Sequence, residues 1–140
     1  MRAIRIVTLG VRDLDASTHF YEEIGFIKSE KSSSSITWFR TGSTILTLYP
    51  RTRLAQDAGL PESGSGFRGA TLALNMQSRE LVDEFIETVR RSGGKIVKEP
   101  VPIFWGGYSS YFSDPDGHLW EVAWNPYTAV DKVGNLTVEK

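Results

Sequence analysis

Glu121 falls in the middle of an apolar run, and a carboxylate in that setting needs a partner or a task. The stretch Asp114-Pro115-Asp116-Gly117-His118-Leu119-Trp120-Glu121-Val122-Ala123-Trp124-Asn125-Pro126 opens on a turn. Proline presets φ, aspartate can bond its own backbone and glycine accepts positive φ. The run after the turn reads as a strand. A period of two puts Leu119, Glu121, Ala123 and Asn125 on one face and Trp120, Val122 and Trp124 on the other. Three roles are open to Glu121. It can be hydrogen-bonded to Thr8, Thr47, Thr71, Asn75 or water without chemistry, it can accept a bond from an N–H or O–H of a bound molecule, or it can act as a general base, for which an apolar pocket suits a carboxylate.

Aromatic residues are the other chemical resource. Trp38, Tyr49, Trp105, Tyr108 and Tyr111 fall on strands or loops expected to approach a ligand concavity, where rings favour flat or apolar ligands; core or interface packing is the competing role. Phe104-Trp105-Gly106-Gly107 reads as the lip of a ligand site, because paired glycines permit close backbone approach. Arg40 and Arg68 could balance an acidic ligand, although surface arginines are commoner. His19 reads as a solvated helical residue and His118 as a turn residue on the face opposite Glu121. With no cysteine and two histidines, the chain has no disulfide, no thiolate nucleophile and no thiolate metal site.

The 140 residues, 40% of them apolar, suit one domain of ordinary size. A net charge of −1 with both signs dispersed leaves no basic footprint for nucleic acid or for a membrane surface. No apolar run is long enough to span a bilayer and the N-terminus enters a strand pattern, so a cytoplasmic location is expected.

The elements that must position these residues come in two similar sets. Ile4 to Val11 alternates as a strand, Asp13 caps a helix over Leu14 to Ile24, and strands follow at Phe26–Glu30, Ile36–Arg40 and Thr44–Tyr49. A short helix over Leu54 to Ala58 and a Gly/Ser-rich linker, Glu62 to Gly69, come next. Ala70 to Met76 then repeats the first strand, Ser78 caps a helix ending at Gly93-Gly94, and strands follow at Lys95–Lys98, at Gly107–Ser113 and after the Asp-Pro-Asp-Gly turn. A loop carrying Pro100 and Pro102 separates the first two of these strands. Val11 and Met76, Asp13 and Ser78, and Phe20 and Phe85 all keep an offset of 65 positions, which implies two tandem βαβββ modules.

The fold class is therefore α+β, with module one over about residues 4–60, module two over about 69–126, both within a single domain 1–126, and a C-terminal extension 127–140 that either forms a turn and an edge strand at Leu136–Val138 or frays. Each module's helix is expected to cover one sheet face, through Val7, Leu9, Leu46 and Leu48 in the first and Leu72, Leu74, Trp120 and Val122 in the second. The other faces carry Ile6, Thr8, Gly10, Thr47, Thr71, Ala73, Asn75 and Glu121. Curled side by side, they would make a curved mixed sheet around a shared cavity.

Ile6-Val7-Thr8-Leu9-Gly10-Val11-Arg12-Asp13-Leu14, Phe20-Tyr21 with Gly25-Phe26, Phe104-Trp105-Gly106-Gly107-Tyr108, and Asp114-Pro115-Asp116-Gly117 leading to Trp120-Glu121-Val122 together resemble the vicinal oxygen chelate superfamily, also called the glyoxalase, bleomycin-resistance and dioxygenase superfamily. The resemblance spans about Ile4 to Pro126. It implies paired βαβββ modules and usually a homodimer, and leaves the reaction open. Metal-dependent members carry four ligands at positions that fall here on Ile6, Thr47, Thr71 and Glu121. Only Glu121 is a competent donor, so no metal and no cofactor is expected. Two function classes follow. One is a metal-free binding protein holding a small, partly aromatic molecule. The other is an enzyme of lyase, isomerase or dioxygenase type, either metal-independent with Glu121 as base or using Ni, Zn, Mn or Fe through other ligands.

Overall fold

The β-branched alternation of the N-terminal stretch forms β1 (Ile6–Val11), followed by α1 (Leu14–Glu23), β2 (Ile27–Lys28), β3 (Thr37–Thr41), β4 (Thr44–Pro50) and α2 (Arg51–Ala58) in a computed structural model that describes residues 3–132 and 134–136. These elements make up the first of two units, Met1–Arg68 and Gly69–Lys140, whose boundary falls at the end of the predicted linker. Asp13 caps α1 as its sequence position implies, its side chain accepting from the Ala16 N–H at 3.0 Å.

The first sheet has the order β1-β4-β3-β2, with β1 parallel to β4 and the other pairs antiparallel. Register sets Val7 beside Leu46, Leu9 beside Leu48 and Phe39 beside Leu46. Helix α1 covers this face. Tyr21, Phe39 and Leu48 are wholly buried, and the Tyr21 ring meets the edges of Phe20 and Phe26 at 5.3 Å between centroids. Thr18 and Thr37, buried between helix and strand, satisfy each other through a hydroxyl pair at 2.7 Å.

Helix α2 begins at Arg51, not at Leu54, and ends at Gly59 in the left-handed region. It also packs on the face opposite α1. A Cβ built on Gly10 would lie 3.2 Å from the Arg51 Cα and 3.3 Å from Leu54 Cδ2, so α2 packs on β1 at the Gly10 end of the face that carries Thr8 and Thr47. The missing side chain is what lets the helix approach. Gly10→Ala is expected to destabilise the protein by about 1 kcal/mol, because the contacting atom is backbone and cannot swing away; a chemical-denaturation midpoint unchanged from the parent would refute it.

The second unit contains β5 (Leu72–Asn75), α3 (Arg79–Arg91), β6 (Lys95–Pro102), β7 (Tyr108–Ser113) and β8 (Leu119–Trp124). Its order, β5-β8-β7-β6, repeats that of the first sheet, again with one parallel pair, β5 with β8. Two tandem βαβββ modules are thus present, the first extended by α2. Ser78 caps α3 by accepting from the Leu81 N–H, and Gly93 follows the helix at φ 88°. Val82, Ile86 and Val89 of α3 are buried, as are Phe112, Trp120 and Val122 on the sheet. At the far end of α3, Arg90 reaches across to Glu99 of β6 through two bonds of 2.7 and 2.9 Å.

Strand β6 runs through Pro100 and Pro102, where a loop was expected after Lys98. It is an edge strand, and its pairing to β7 is irregular between Ile96 and Lys98 and between Lys98 and Val101, so prolines need not donate to a ladder there. Several strands are shorter than read from sequence: β1 starts at Ile6, β2 has two residues and β5 lacks Ala70, Thr71 and Met76. In the C-terminal extension Val130 and Leu136 form a single antiparallel bridge closed by an Asp131–Asn135 turn. Thr137 and Val138 of the expected edge strand lie outside the described residues. Among the described residues, no helix is long and apolar enough to cross a membrane.

Candidate functional site

The turn ahead of β8 decides what meets Glu121. The buried Asp114 carboxylate accepts from the N–H groups of Asp116 and His118 at 2.9 and 2.8 Å, and the Asp114 N–H donates to the His118 carbonyl at 3.0 Å. Gly117 takes the φ of 84° that closes the loop. Ser113 is thereby set against Leu119, which brings Tyr111 directly opposite Glu121 and Ser109 opposite Ala123. On its other side Glu121 neighbours Ala73 of β5.

Both neighbours on β7 bind the carboxylate. The Tyr111 hydroxyl donates to Glu121 Oε2 at 2.8 Å and the Ser109 hydroxyl donates to the same oxygen at 3.1 Å. Among the described residues no donor reaches Oε1. Glu121 and Tyr111 are half-buried, Ser109 is buried, and Ala73 is exposed. The cluster lies on the face opposite α3, so the helix that covers Phe112 and Val122 leaves it alone.

The partners read from sequence were different. Thr8 and Thr47 bond each other at 2.7 Å within the first sheet, Thr71 is exposed and precedes β5, and Asn75 lies one row along, beside Ala123. Adjacent antiparallel strands hold facing side chains within a few ångströms, so β7 supplies the donors. Sequence spacing alone does not single out Ser109, because its role depends on hairpin register. The signal was the Asp-Pro-Asp-Gly turn: once its loop length is known, counting back along β7 reaches both Tyr111 and Ser109.

The structure brings Glu121, Tyr111 and Asn75 to one face in the second unit. In the first unit it brings Thr8, Thr47, Trp38 and Tyr49 to one face, with Trp38 opposite Thr47 and Tyr49 beside Gly10. Tyr108 stands apart from the Glu121 face. Its hydroxyl donates to Asp83 of α3 at 2.7 Å, and the Arg79 guanidinium lies 5.4 Å from the ring centres of both Tyr108 and Trp124, pinning the start of α3 to β7 and β8. Trp105 is in the tight loop joining β6 to β7, closed by the Ile103 N–H on the Gly107 carbonyl at 2.8 Å. Its indole folds over Gly107, where a Cβ would collide with the ring. Phe104 beside it is fully exposed.

His19 is exposed and paired with Glu23 at 2.9 Å, as a helical surface residue would be. Arg40 is exposed on β3, and the Arg68 guanidinium lies against Gly64 in the linker. The four positions matching metal ligands hold an exposed Ile6, a Thr47 bonded to Thr8, an exposed Thr71 and Glu121. As a donor set, one hydrocarbon side chain, two neutral hydroxyls and one carboxylate do not suit a divalent ion, which asks for about three good ligands. Among the described residues, no three His, Cys, Asp or Glu side chains gather as a metal-binding group.

Tyr111 holds its proton above the usual phenol range, first because it donates to Glu121, then because of burial and the carboxylate's charge. Tyr108 does so for the same reasons, with Asp83 as acceptor and Arg79 opposing. The unfolded chain releases these protons near pH 10.0 while the folded chain keeps them. Their stabilising contribution is therefore complete below that pH and is lost as pH rises through the folded values. Stability is expected to fall on the alkaline side of pH 10, and Tyr111→Phe to flatten part of the fall. Denaturation midpoints of both proteins across that range measure it, and parallel curves would remove Tyr111 from the account.

Comparison with known proteins matches residues 3–122 to the model of the Glyoxalase/Bleomycin resistance protein/Dioxygenase superfamily. A lactoylglutathione lyase of Arabidopsis thaliana is 27% identical over 125 residues, covering 83% of this chain and 42% of that protein. The chain thus spans less than half the length of this curated relative. Among solved structures, a glyoxalase-related enzyme from Fulvimarina pelagi matches at a TM-score of 0.89 and 28% identity, covering 100% of both chains. A lactoylglutathione lyase from Agrobacterium tumefaciens matches at 0.67 and 25% identity, covering 88% of this chain and 93% of that one.

Proposed function

Because the chain belongs to the Glyoxalase/Bleomycin resistance protein/Dioxygenase superfamily, we propose that it binds a small, partly aromatic molecule on the sheet face that carries Glu121, with that carboxylate as the polar anchor. The observation that carries this reading is the half-buried Glu121, held through Oε2 by Ser109 and Tyr111, with no donor to Oε1 among the described residues. A carboxylate held in place before the ligand arrives loses little freedom on binding. The Tyr111 ring, in the same row, offers a flat surface for stacking. Residues with no metal-ligand set fit a binding protein better than a metal-dependent catalyst. By the pattern of the family, the working form is a homodimer.

A thermal-shift screen of small aromatic compounds tests the reading, since a ligand that binds only the folded state raises the melting temperature with its concentration. Compounds that stabilise the parent protein are expected to lose most of that effect on Glu121→Leu. Equal shifts in both proteins would place binding elsewhere and end the proposal. The lactoylglutathione lyases among the relatives favour a second reading, an enzyme in which Glu121 moves a proton. It predicts turnover abolished by Glu121→Gln, whereas the binding reading predicts none to abolish. Adding Ni, Zn, Mn or Fe separates both from metal-dependent catalysis, which alone predicts stabilisation by the ion.

A further inference from the structure

The hydroxyl protons of Tyr111 and Ser109 both point at one oxygen of Glu121, and this arrangement dictates the polarity of what can bind beside it. A phenol or an alcohol has one proton to donate and keeps lone pairs to accept with, while an ionised carboxylate only accepts. Tyr111 donates at 2.8 Å and Ser109 at 3.1 Å, both to Oε2. With both protons engaged, the cluster's own atoms left for a ligand are Oε1 of Glu121 and the phenolic oxygen of Tyr111, all lone pairs, with Asn75 one row along on the same face. Ala73, the neighbour of Glu121 on β5, is exposed and too short to cover the carboxylate. The upward shift of the Tyr111 pKa keeps its proton in place throughout the ordinary pH range, so the phenol stays a donor to Glu121.

We infer that the Ser109–Glu121–Tyr111 cluster makes the site selective for ligands that donate hydrogen bonds, with planar aromatic cations such as amidinium groups as the best class and carboxylates excluded. This rests on the reading of the Glu121 face as a ligand site. At the cluster itself an anion would meet lone pairs and a like charge, with the Asn75 amide one row away, whereas an amidinium places two N–H groups toward Oε1 and the Tyr111 oxygen. Hydrogen bonds from charged groups are roughly twice as strong as neutral ones, which sharpens the preference.

Benzamidine, benzamide and benzoate form a test series of nearly equal size and shape. Titrated into the full chain and followed by amide NMR shifts of Ser109, Tyr111 and Glu121, benzamidine is expected to bind at least about tenfold more tightly than benzoate, with benzamide between them. Glu121→Gln supplies an amide N–H in place of the charge and is expected to bring benzamidine and benzoate within about threefold. Glu121→Ala, which adds no new polar group, is expected to do the same and covers the case in which the glutamine variant misfolds. Benzoate binding as tightly as benzamidine to the parent protein at those amides would overturn the selectivity while leaving the ligand site in place. A benzamidine preference that survives in Glu121→Gln or Glu121→Ala would overturn it too, by tracing the preference to another group. If none of the three probes moves these amides, both the selectivity and the ligand site fall.

Discussion

Phe112→Ala is expected to lower the unfolding free energy by about 3–5 kcal/mol, the range for removing a large aromatic side chain from a packed core. Phe112 is wholly buried on the α3 side of the second sheet. Its ring lies parallel to that of Trp120, with centroids 6.1 Å apart and planes 3° apart, and the Phe85 ring from α3 is also 6.1 Å away. Truncation removes the surface on which helix and sheet meet. Domains of this size are commonly stable by only about 5–15 kcal/mol, so the loss is a large fraction of the whole. Urea unfolding should show a lower midpoint with an unchanged slope. A loss below about 1 kcal/mol would mean that the site collapses around the deletion and that Phe112 does not organise this core.

The counterpart in the first unit is Tyr21→Ala, with an expected loss of similar size, about 3–5 kcal/mol. Tyr21 has no exposed surface and is the centre of an aromatic group: Phe20 and Phe26 meet it edge-on at 5.3 Å and Phe39 lies 5.8 Å away. It comes from α1, while Phe39 comes from β3, so its removal separates the helix from its sheet. The Glu121 cluster belongs wholly to the second unit and has no member in this group. A protein that keeps the cluster's NMR signals while losing stability would separate the packing role of Tyr21 from the ligand role proposed for Glu121. A midpoint within about 1 kcal/mol of the parent would instead show that α1 is held by other contacts.

Much of this architecture is legible in the sequence. Ile6 to Val11 alternates because one side of β1 is buried under α1 and the other is not, and Asp13 and Ser78 announce their helices because a side-chain oxygen must satisfy the first N–H groups. The repeated offset between Phe20 and Phe85 shows two similar modules, since each needs one large aromatic between helix and sheet. The isolation of Glu121 in an apolar run marks it as a carboxylate that needs a partner or a task. These are local facts. They depend on spacing within a few residues, which a chain cannot hide.

Register and long-range packing are not local, and they decided the remainder. Tyr108 and Tyr111 are three residues apart on one strand, yet one supports α3 through Asp83 and the other holds Glu121. Ser109 gained its role only from the hairpin that counts it onto the Glu121 face. The closeness of α2 to Gly10, and the extension of β6 through two prolines, follow from contacts between segments distant in sequence. The sequence by itself determined the paired modules, their helix starts and the presence of one carboxylate that needs an explanation. Tertiary structure alone decided which hydroxyls meet that carboxylate and which of its oxygens they share, because a one-residue change in pairing exchanges the two faces of a strand.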